Sequence, residues 1–203
     1  MIAMHSVIAW RLPVCASLRL RLVTGLLCAG LWMPVAQVTA AEGGPETVAL
    51  DAVQDSAKPS FALPSLDGAP QDLARHRGRV VLVHFFATWC EPCRPEMARL
   101  RELKFRLAGR PVAIVAISVA EADGAVRRFF AGDPVPFSIL LDRDRSVAKA
   151  WSIHTLPSTV VLDHDLRPRF LAQGDVDWGR ADVMNILADL LRDIPGATGA
   201  GGG

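Results

Sequence analysis

Apolar runs alternate with amphipathic segments along the middle of the chain. Residues 79–87 (RVVLVHFFA) and 112–119 (VAIVAISV) are rich in β-branched or aromatic residues, which is typical of buried strands. Between them, from Glu91 to Leu107, apolar residues recur at helical spacing and indicate an amphipathic helix that stops at Gly109. A strand, a helix and a strand in this order predict a right-handed parallel crossover.

The pattern on either side of this unit completes a mixed α/β domain. STVVLD (158–163) and PRFLAQ (168–173) predict two strands joined as a hairpin, and residues 181–194 predict a closing amphipathic helix. Upstream, residues 61–73 predict two short extended pieces around a turn at Asp67–Gly68. We therefore predict a central mixed β-sheet flanked by helices, with an N-terminal β-hairpin extension.

The N-terminal segment differs from the rest of the chain in its charge. Residues 1–41 contain Arg11, Arg19 and Arg21 but no acidic residue, and residues 22–41 are uncharged and end in small residues at signal-peptidase spacing. This pattern predicts a signal peptide, with an uncleaved N-terminal membrane anchor as the alternative. We therefore expect a periplasmic or other extracytoplasmic domain, soluble after cleavage or tethered to the inner membrane.

Composition sets the remaining boundaries of the 203-residue chain. Residues 42–59 are small and polar and predict a linker, whereas the glycine-rich residues 194–203 predict a disordered tail. The domain is therefore expected at residues 60–193. A net charge of +1 gives no electrostatic reason to expect a nucleic-acid partner.

Two of the four cysteines, Cys90 and Cys93, fall inside the predicted domain. They could bind zinc, form a structural disulfide or exchange electrons. A structural zinc site needs about four ligands, and the histidines are scattered without ligand spacing. A disulfide closing so small a loop would stabilise the fold little. Redox chemistry is therefore the favoured interpretation, and we expect neither a metal nor a cofactor in the site.

The position of the pair supports a division of roles. We expect Cys90 in the first turn of the helix, where unpaired N–H groups stabilise a thiolate that can attack a disulfide. Cys93, one turn further on, is expected to be less accessible and to resolve the mixed disulfide. Pro92 can occupy an early helical position at no cost in hydrogen bonds. Glu91 opposes thiolate formation and thereby favours a reducing dithiol.

The run VVLVHFFATWCEPCRPEM resembles the strand, WCxxC motif and helix of the thioredoxin superfamily. Together with TLPSTVVLD, which is similar to a cis-proline loop and its strand, it resembles the TlpA/ResA-like branch of exported thiol-disulfide oxidoreductases. This resemblance implies a thioredoxin-like fold, with Cys90 as nucleophile and Cys93 as resolving thiol. It also implies Pro157 as the cis-proline and Glu96 as a carboxylate that helps to move the proton of Cys93.

The residues around the motif supply the expected substrate contacts. Trp89, Glu91, Pro92 and Leu156 are expected to bind substrate, with the Trp89 ring packed beside the cysteines as a shield. His84 stands where general thioredoxins have a buried aspartate, and we interpret it as a semi-buried, hydrogen-bonded histidine.

These features predict an exported enzyme that exchanges disulfides with protein substrates. The favoured direction is reduction, in cytochrome c maturation or general periplasmic thiol reduction, with electrons from a membrane thiol donor. The loop HTLPST departs from the G-x-P-E-T pattern of the branch dedicated to cytochrome c maturation, which weakens the first role. The alternative is a copper chaperone that binds Cu(I) through Cys90, Cys93 and His154.

Overall fold

The computed structural model describes residues 49–53, 58 and 60–195. The predicted signal or anchor segment lies outside these residues, as do most of the predicted linker and tail. The strands in the described part of the chain are β1 (Asp51–Ala52), β2 (Ala62–Pro64), β3 (Pro70–Asp72), β4 (Val80–Phe86), β5 (Val112–Val119), β6 (Ser138–Asp142), β7 (Ser158–Leu162) and β8 (Pro168–Gln173). The helices are α1 (Cys93–Arg106), α2 (Asp123–Phe130), α3 (Ser146–Ala150) and α4 (Ala181–Arg192), with a 3-10 turn at Leu73–His76.

The central sheet is mixed, as the sequence predicts. Its strand order is β1-β8-β7-β4-β5-β6, in which β4, β5 and β6 run parallel and β7 pairs antiparallel with β4. Strands β2 and β3 form a separate antiparallel hairpin across the turn at Asp67–Gly68, which confirms the N-terminal extension. The β4–α1–β5 unit is the predicted parallel crossover, and it delivers the cysteines to one end of the central strand.

Strand β4 is buried on both faces because helices and loops cover the sheet on both sides. Leu82 and Phe86 belong to the core that also contains Cys93 and residues of α1 and α4, whereas Val83 and Phe85 belong to the core that contains Trp151 and residues of α3. Side chains alternate between the two faces of a strand. His84 therefore lies on the same side as Leu82 and Phe86, under α1.

A short strand lies inside the segment that the sequence interprets as a linker. In β1, Asp51 and Ala52 pair antiparallel with β8, and the Leu50 side chain is buried in the core. Two paired residues are too few to show a hydrophobic period, so the pattern gave no signal. The pairing covers the outer edge of β8, which would otherwise expose unpaired backbone groups.

Membrane-spanning helices were sought in the part of the chain that the structure describes. None of its helices is long and apolar enough to cross a bilayer.

Candidate active site

The two cysteines lie in the turn that connects β4 to α1. Their sulfur atoms are 2.00 Å apart and their Cα atoms 5.4 Å apart, which is disulfide distance. The Cys90 N–H donates to the carbonyl of Ala87, and the Cys93 N–H donates to the carbonyl of Cys90, each at 3.2 Å. Helix α1 begins at Cys93, with Pro92 as its N-cap, so Cys90 lies one turn before the helix and not in its first turn as expected.

The two sulfurs differ in their surroundings. Cys90 is 6% exposed and lines a cavity of about 390 Å³, whereas Cys93 is fully buried. The reason is geometrical: the turn holds Cys90 at the surface, while the first residue of α1 faces the sheet. A partner disulfide can therefore reach only the first cysteine from this cavity.

The cavity brings together all four residues for which the sequence predicts substrate contacts. Trp89, Glu91 and Pro92 line it on one side, and Leu156 lines it from the loop before β7. Trp89 is 73% exposed, so its ring does not shield the cysteines as expected but stands free beside them. An exposed aromatic ring next to a reactive pair is a ready contact for a partner protein.

Pro157 follows Leu156 directly and precedes β7. The Leu156–Pro157 peptide bond is cis, and the Pro157 carbonyl accepts a hydrogen bond of 2.8 Å from the Gly174 N–H. Pro157 is buried, whereas Leu156 is partly exposed toward the cavity that Cys90 lines. The structure thus places the predicted cis-proline loop at the same cavity as the nucleophile candidate.

Glu96 is fully buried under the disulfide, so it is not a solvated surface charge. Its Oε1 accepts a hydrogen bond of 3.1 Å from Trp178 Nε1, and its Oε2 has no hydrogen-bond partner among the described residues. Burial raises the pKa of Glu96 to about 8, and the charge of Asp175 adds to this, while the bond from Trp178 opposes it. At neutral pH Glu96 is therefore a carboxylic acid, on the α1 face that it shares with Cys93 three residues before.

His84 completes a buried polar group with Glu96. It is fully buried where semi-burial was expected, its Nδ1 lies 2.9 Å from Thr159 Oγ1, and the same nitrogen lies 3.9 Å from Glu96 Oε1. Burial lowers the pKa of His84 to about 3, so the ring is neutral. Its Nε2 has no hydrogen-bond partner within the described ranges.

Two residues contribute to the site although the sequence analysis does not predict them. No pattern in the sequence assigns Trp178 to the site, yet its indole N–H is the hydrogen-bond donor to Glu96. Glu121 accepts hydrogen bonds from the Thr88 N–H (2.9 Å), the Thr88 hydroxyl (2.5 Å) and the Ser118 hydroxyl (2.7 Å). It thereby ties the loop before Trp89 to the end of β5. The Trp178–Glu96 and Thr88–Glu121 contacts have no local signature, because their partners are 82 and 33 residues apart.

The fold and the site together define a thioredoxin-like protein with a redox-type cysteine pair. The redoxin family model matches residues 52–190, so the chain belongs to the redoxin family. Thiol-disulfide oxidoreductase ResA of Bacillus subtilis is 30% identical over 135 residues, which cover 66% of this chain and 75% of that protein. ResA of Geobacillus kaustophilus is 34% identical over 108 residues, covering 53% and 62%.

Solved structures show the same fold. A thioredoxin-family thiol:disulfide interchange protein from Chlorobium tepidum superposes with a TM-score of 0.59 at 25% identity, over 70% of this chain and 99% of that one. StoA from Bacillus subtilis superposes with a TM-score of 0.55 at 19% identity, over 66% and 99%. This protein is accordingly an enzyme of the thiol-disulfide oxidoreductase class, similar to ResA.

Proposed function

We propose that this protein is an exported oxidoreductase that reduces disulfides in other proteins. The observation that carries the proposal is the asymmetry of the cysteine pair. Cys90 lines an accessible cavity, whereas Cys93 is buried on the α1 face that carries the protonated carboxyl group of Glu96. One sulfur can meet a substrate while the other is kept for the second step.

The chemistry follows from these positions. In the reduced enzyme the Cys90 thiolate attacks a substrate disulfide, forms a mixed disulfide and releases one substrate thiolate. In the reduced enzyme Glu96 is a carboxylate, because it gave its proton to the departing Cys93 sulfur when the Cys90–Cys93 disulfide was reduced. The Cys93 thiol returns this proton to Glu96 and attacks the Cys90 sulfur. This step forms the Cys90–Cys93 disulfide and releases the second substrate thiolate, so two electrons pass to the substrate. Glu96 keeps the proton in the oxidised enzyme because its pKa there is about 8.

The residues around the cavity would position the substrate for this attack. Trp89 and Leu156 offer apolar surface beside Cys90, and Glu91 and Pro92 are exposed within the motif. Pro157 fixes the course of the loop that presents Leu156. We assign it a positioning role.

We propose reduction as the direction because one feature near each cysteine opposes its thiolate. Glu91 places an exposed negative charge beside Cys90, and Cys93 is buried among apolar side chains. A dithiol whose thiolates are not stabilised is a poorer oxidant.

An equilibrium titration against glutathione tests the direction. We expect a reduction potential below about −200 mV, and a value near the −120 mV of a strong oxidant would contradict the reductant role. Glu91→Gln should raise the potential, because it removes the charge that opposes the thiolate. Glu102→Gln, an exposed carboxylate further along α1, is the matched control and should leave the potential unchanged.

Export and partners complete the proposal. The basic and then uncharged N-terminal segment supports secretion or tethering, and the substrates would then be disulfide-bearing proteins outside the cytoplasm, including apocytochromes or general periplasmic proteins. A membrane thiol donor would regenerate the dithiol. The N-terminal mass of the exported protein tests cleavage, which should remove about 40 residues.

A copper-binding role is the second candidate, because exposed His154 lines the same cavity as Cys90. Two thiolates and an imidazole are suitable Cu(I) ligands. Within the described residues, however, there is no group of three or more metal-capable side chains. Cu(I) competition against a chelator separates the two functions: affinity no better than that of a simple dithiol removes the chaperone.

A further inference from the structure

We infer that the cavity beside Cys90 selects substrate segments that carry an acidic residue close to the reacting cysteine, and that Arg145 is the residue that recognises its carboxylate. This inference rests on the proposed disulfide exchange and specifies its substrate class. The occupant is a segment of another protein with a cysteine, an apolar neighbour and an aspartate or glutamate.

The cavity is mainly apolar. Of the Asp, Glu, Lys and Arg residues that the structure describes, only Glu91 and Arg145 line it. Glu91 belongs to the cysteine motif, whereas Arg145 stands at the start of α3. Over the described ranges, the guanidinium of Arg145 has neither a hydrogen-bond nor an ion-pair partner. Arg143, two residues earlier, differs because its guanidinium donates to both carboxylate oxygens of Asp123, at 2.7 and 2.8 Å. Arg145 is therefore the permanently charged basic group of this cavity that is available to a partner, beside the imidazole of His154.

Hydrogen bonds within the protein hold the cavity wall that carries Arg145 in place. Arg145 and Ala120 both line the cavity and both adopt left-handed backbone conformations, with φ of 62° and 59°. Their N–H groups donate to one carbonyl, that of Asp142, at 3.2 and 2.9 Å. The buried Asp142 carboxylate in turn accepts from the N–H groups of Val147 (3.2 Å) and Ala148 (2.8 Å). Unfavourable backbone conformations held in this way are typical of binding sites.

This arrangement determines what fits. Trp89, Ile153 and Leu156 offer apolar surface for a side chain next to the substrate cysteine. The planar guanidinium of Arg145 matches a carboxylate through paired N–H donors. A lysine placed against Arg145 would instead face a like charge at close range.

Disulfide exchange with matched peptides tests the inference. The peptides are identical except for glutamate, glutamine or lysine at one of three positions beside a cysteine that is held in a mixed disulfide with a fluorescent thiol. At one position at least, the wild type should react about two- to fivefold faster with the glutamate peptide than with the glutamine peptide, and more slowly with the lysine peptide. The difference should fade at about 1 M salt.

Variants of Arg145 test whether this residue causes the preference for the glutamate peptide. Arg145→Gln should abolish the charge preference, and Arg145→Lys should retain part of it. The matched control, Arg143→Gln, should keep the full preference, because Arg143 does not line the cavity. Arg143→Gln should also reduce hydroxyethyl disulfide, an uncharged probe, at the wild-type rate. For the Arg145 variants the readout is the ratio of the rates with the glutamate and glutamine peptides, which a general change in the reactivity of Cys90 does not move.

The possible failures are distinct. A wild type that reduces every peptide without charge preference, or a preference that persists in Arg145→Gln, overturns this inference and leaves the proposed function standing. Failure to react with any peptide or with hydroxyethyl disulfide contradicts the proposed function itself.

Discussion

Glu96 and His84 are both neutral at pH 7. In water at this pH a glutamate is fully ionised and a histidine is partly protonated. Both owe this to burial, which disfavours the charged form of either group. The ordinary values, 4.5 for Glu96 and 6.5 for His84, become about 8 and about 3. As the pH changes, the two shifts change the stability of the folded protein in opposite directions.

We predict a maximum in the stability of the oxidised protein, to the extent that these two groups set it, between about pH 4.5 and pH 6.5. Between pH 4.5 and about 8 folded Glu96 holds a proton that the unfolded chain releases, so stability falls as pH rises. Between about 3 and 6.5 the unfolded chain protonates His84 and the folded protein does not, so stability falls as pH falls. In the range where both act, the two slopes cancel.

Urea unfolding of the oxidised protein measures the alkaline side of this profile. Stability should fall on the order of 2 kcal/mol between about pH 5.5 and pH 8.5, nearly all of it above pH 6.5, where His84 no longer offsets Glu96. Glu96→Gln should remove most of that fall and should also slow resolution by Cys93. Glu102→Gln, an exposed carboxylate on α1, should leave the profile unchanged. If Glu96→Gln keeps the wild-type slope, Glu96 does not hold the proton.

At the scale of elements, the start of α1 decides which of the two cysteines lines the cavity. Because the helix begins at Cys93, its first residue faces the sheet, and the preceding turn leaves Cys90 at the cavity. The sequence placed the helix start at residue 91, two residues early, but kept the order of the cysteines. The larger difference between the sequence prediction and the structure lies at one edge of the sheet. There β1, in the predicted linker, pairs with β8.

The β1 segment should contribute measurably to stability, although its sequence predicts a linker. Leu50→Ala removes a buried side chain from the core and should destabilise the oxidised protein by about 2 kcal/mol in urea unfolding. Asp51→Ala, its exposed neighbour, should change stability by less than about 0.5 kcal/mol. Equal effects of the two variants would show that the segment does not dock in solution.

At the scale of the whole molecule, the active site is assembled from four parts of the chain. The turn after β4 supplies the cysteines, the end of β5 and the start of α3 supply a wall, and the loop before β7 supplies Leu156. The proton-bearing group adds a fifth part, because Trp178 just before α4 donates to Glu96. Such an assembly presents one sulfur to another protein and keeps the other inside.

Cys93→Ser should therefore trap the substrate. The serine has nearly the same size and cannot attack sulfur, so the mixed disulfide on Cys90 should persist. Expressed in its own compartment, this variant should carry a protein that dithiothreitol releases and mass spectrometry identifies. The double variant Cys90→Ser, Cys93→Ser is the control and should carry none. Absence of any adduct under oxidising conditions, together with tight Cu(I) binding by the wild type, would favour the copper chaperone.

The sequence by itself determined the features that are local or periodic. The buried strands β4 and β5 are continuous apolar runs, and the cysteines, Pro92 and Glu96 fall within one short motif, so spacing alone predicts which of them share a helix face. The parallel direction of β4 and β5 followed from the strand, helix and strand order.

Only the tertiary structure decided the features that depend on contacts between distant segments. Glu96 and Trp178 are 82 residues apart, and no period in the sequence connects them. The left-handed residues Ala120 and Arg145 meet because both bind the carbonyl of Asp142. Burial, and with it the pKa of Glu96, is a property of everything packed around a side chain, which a linear pattern does not contain.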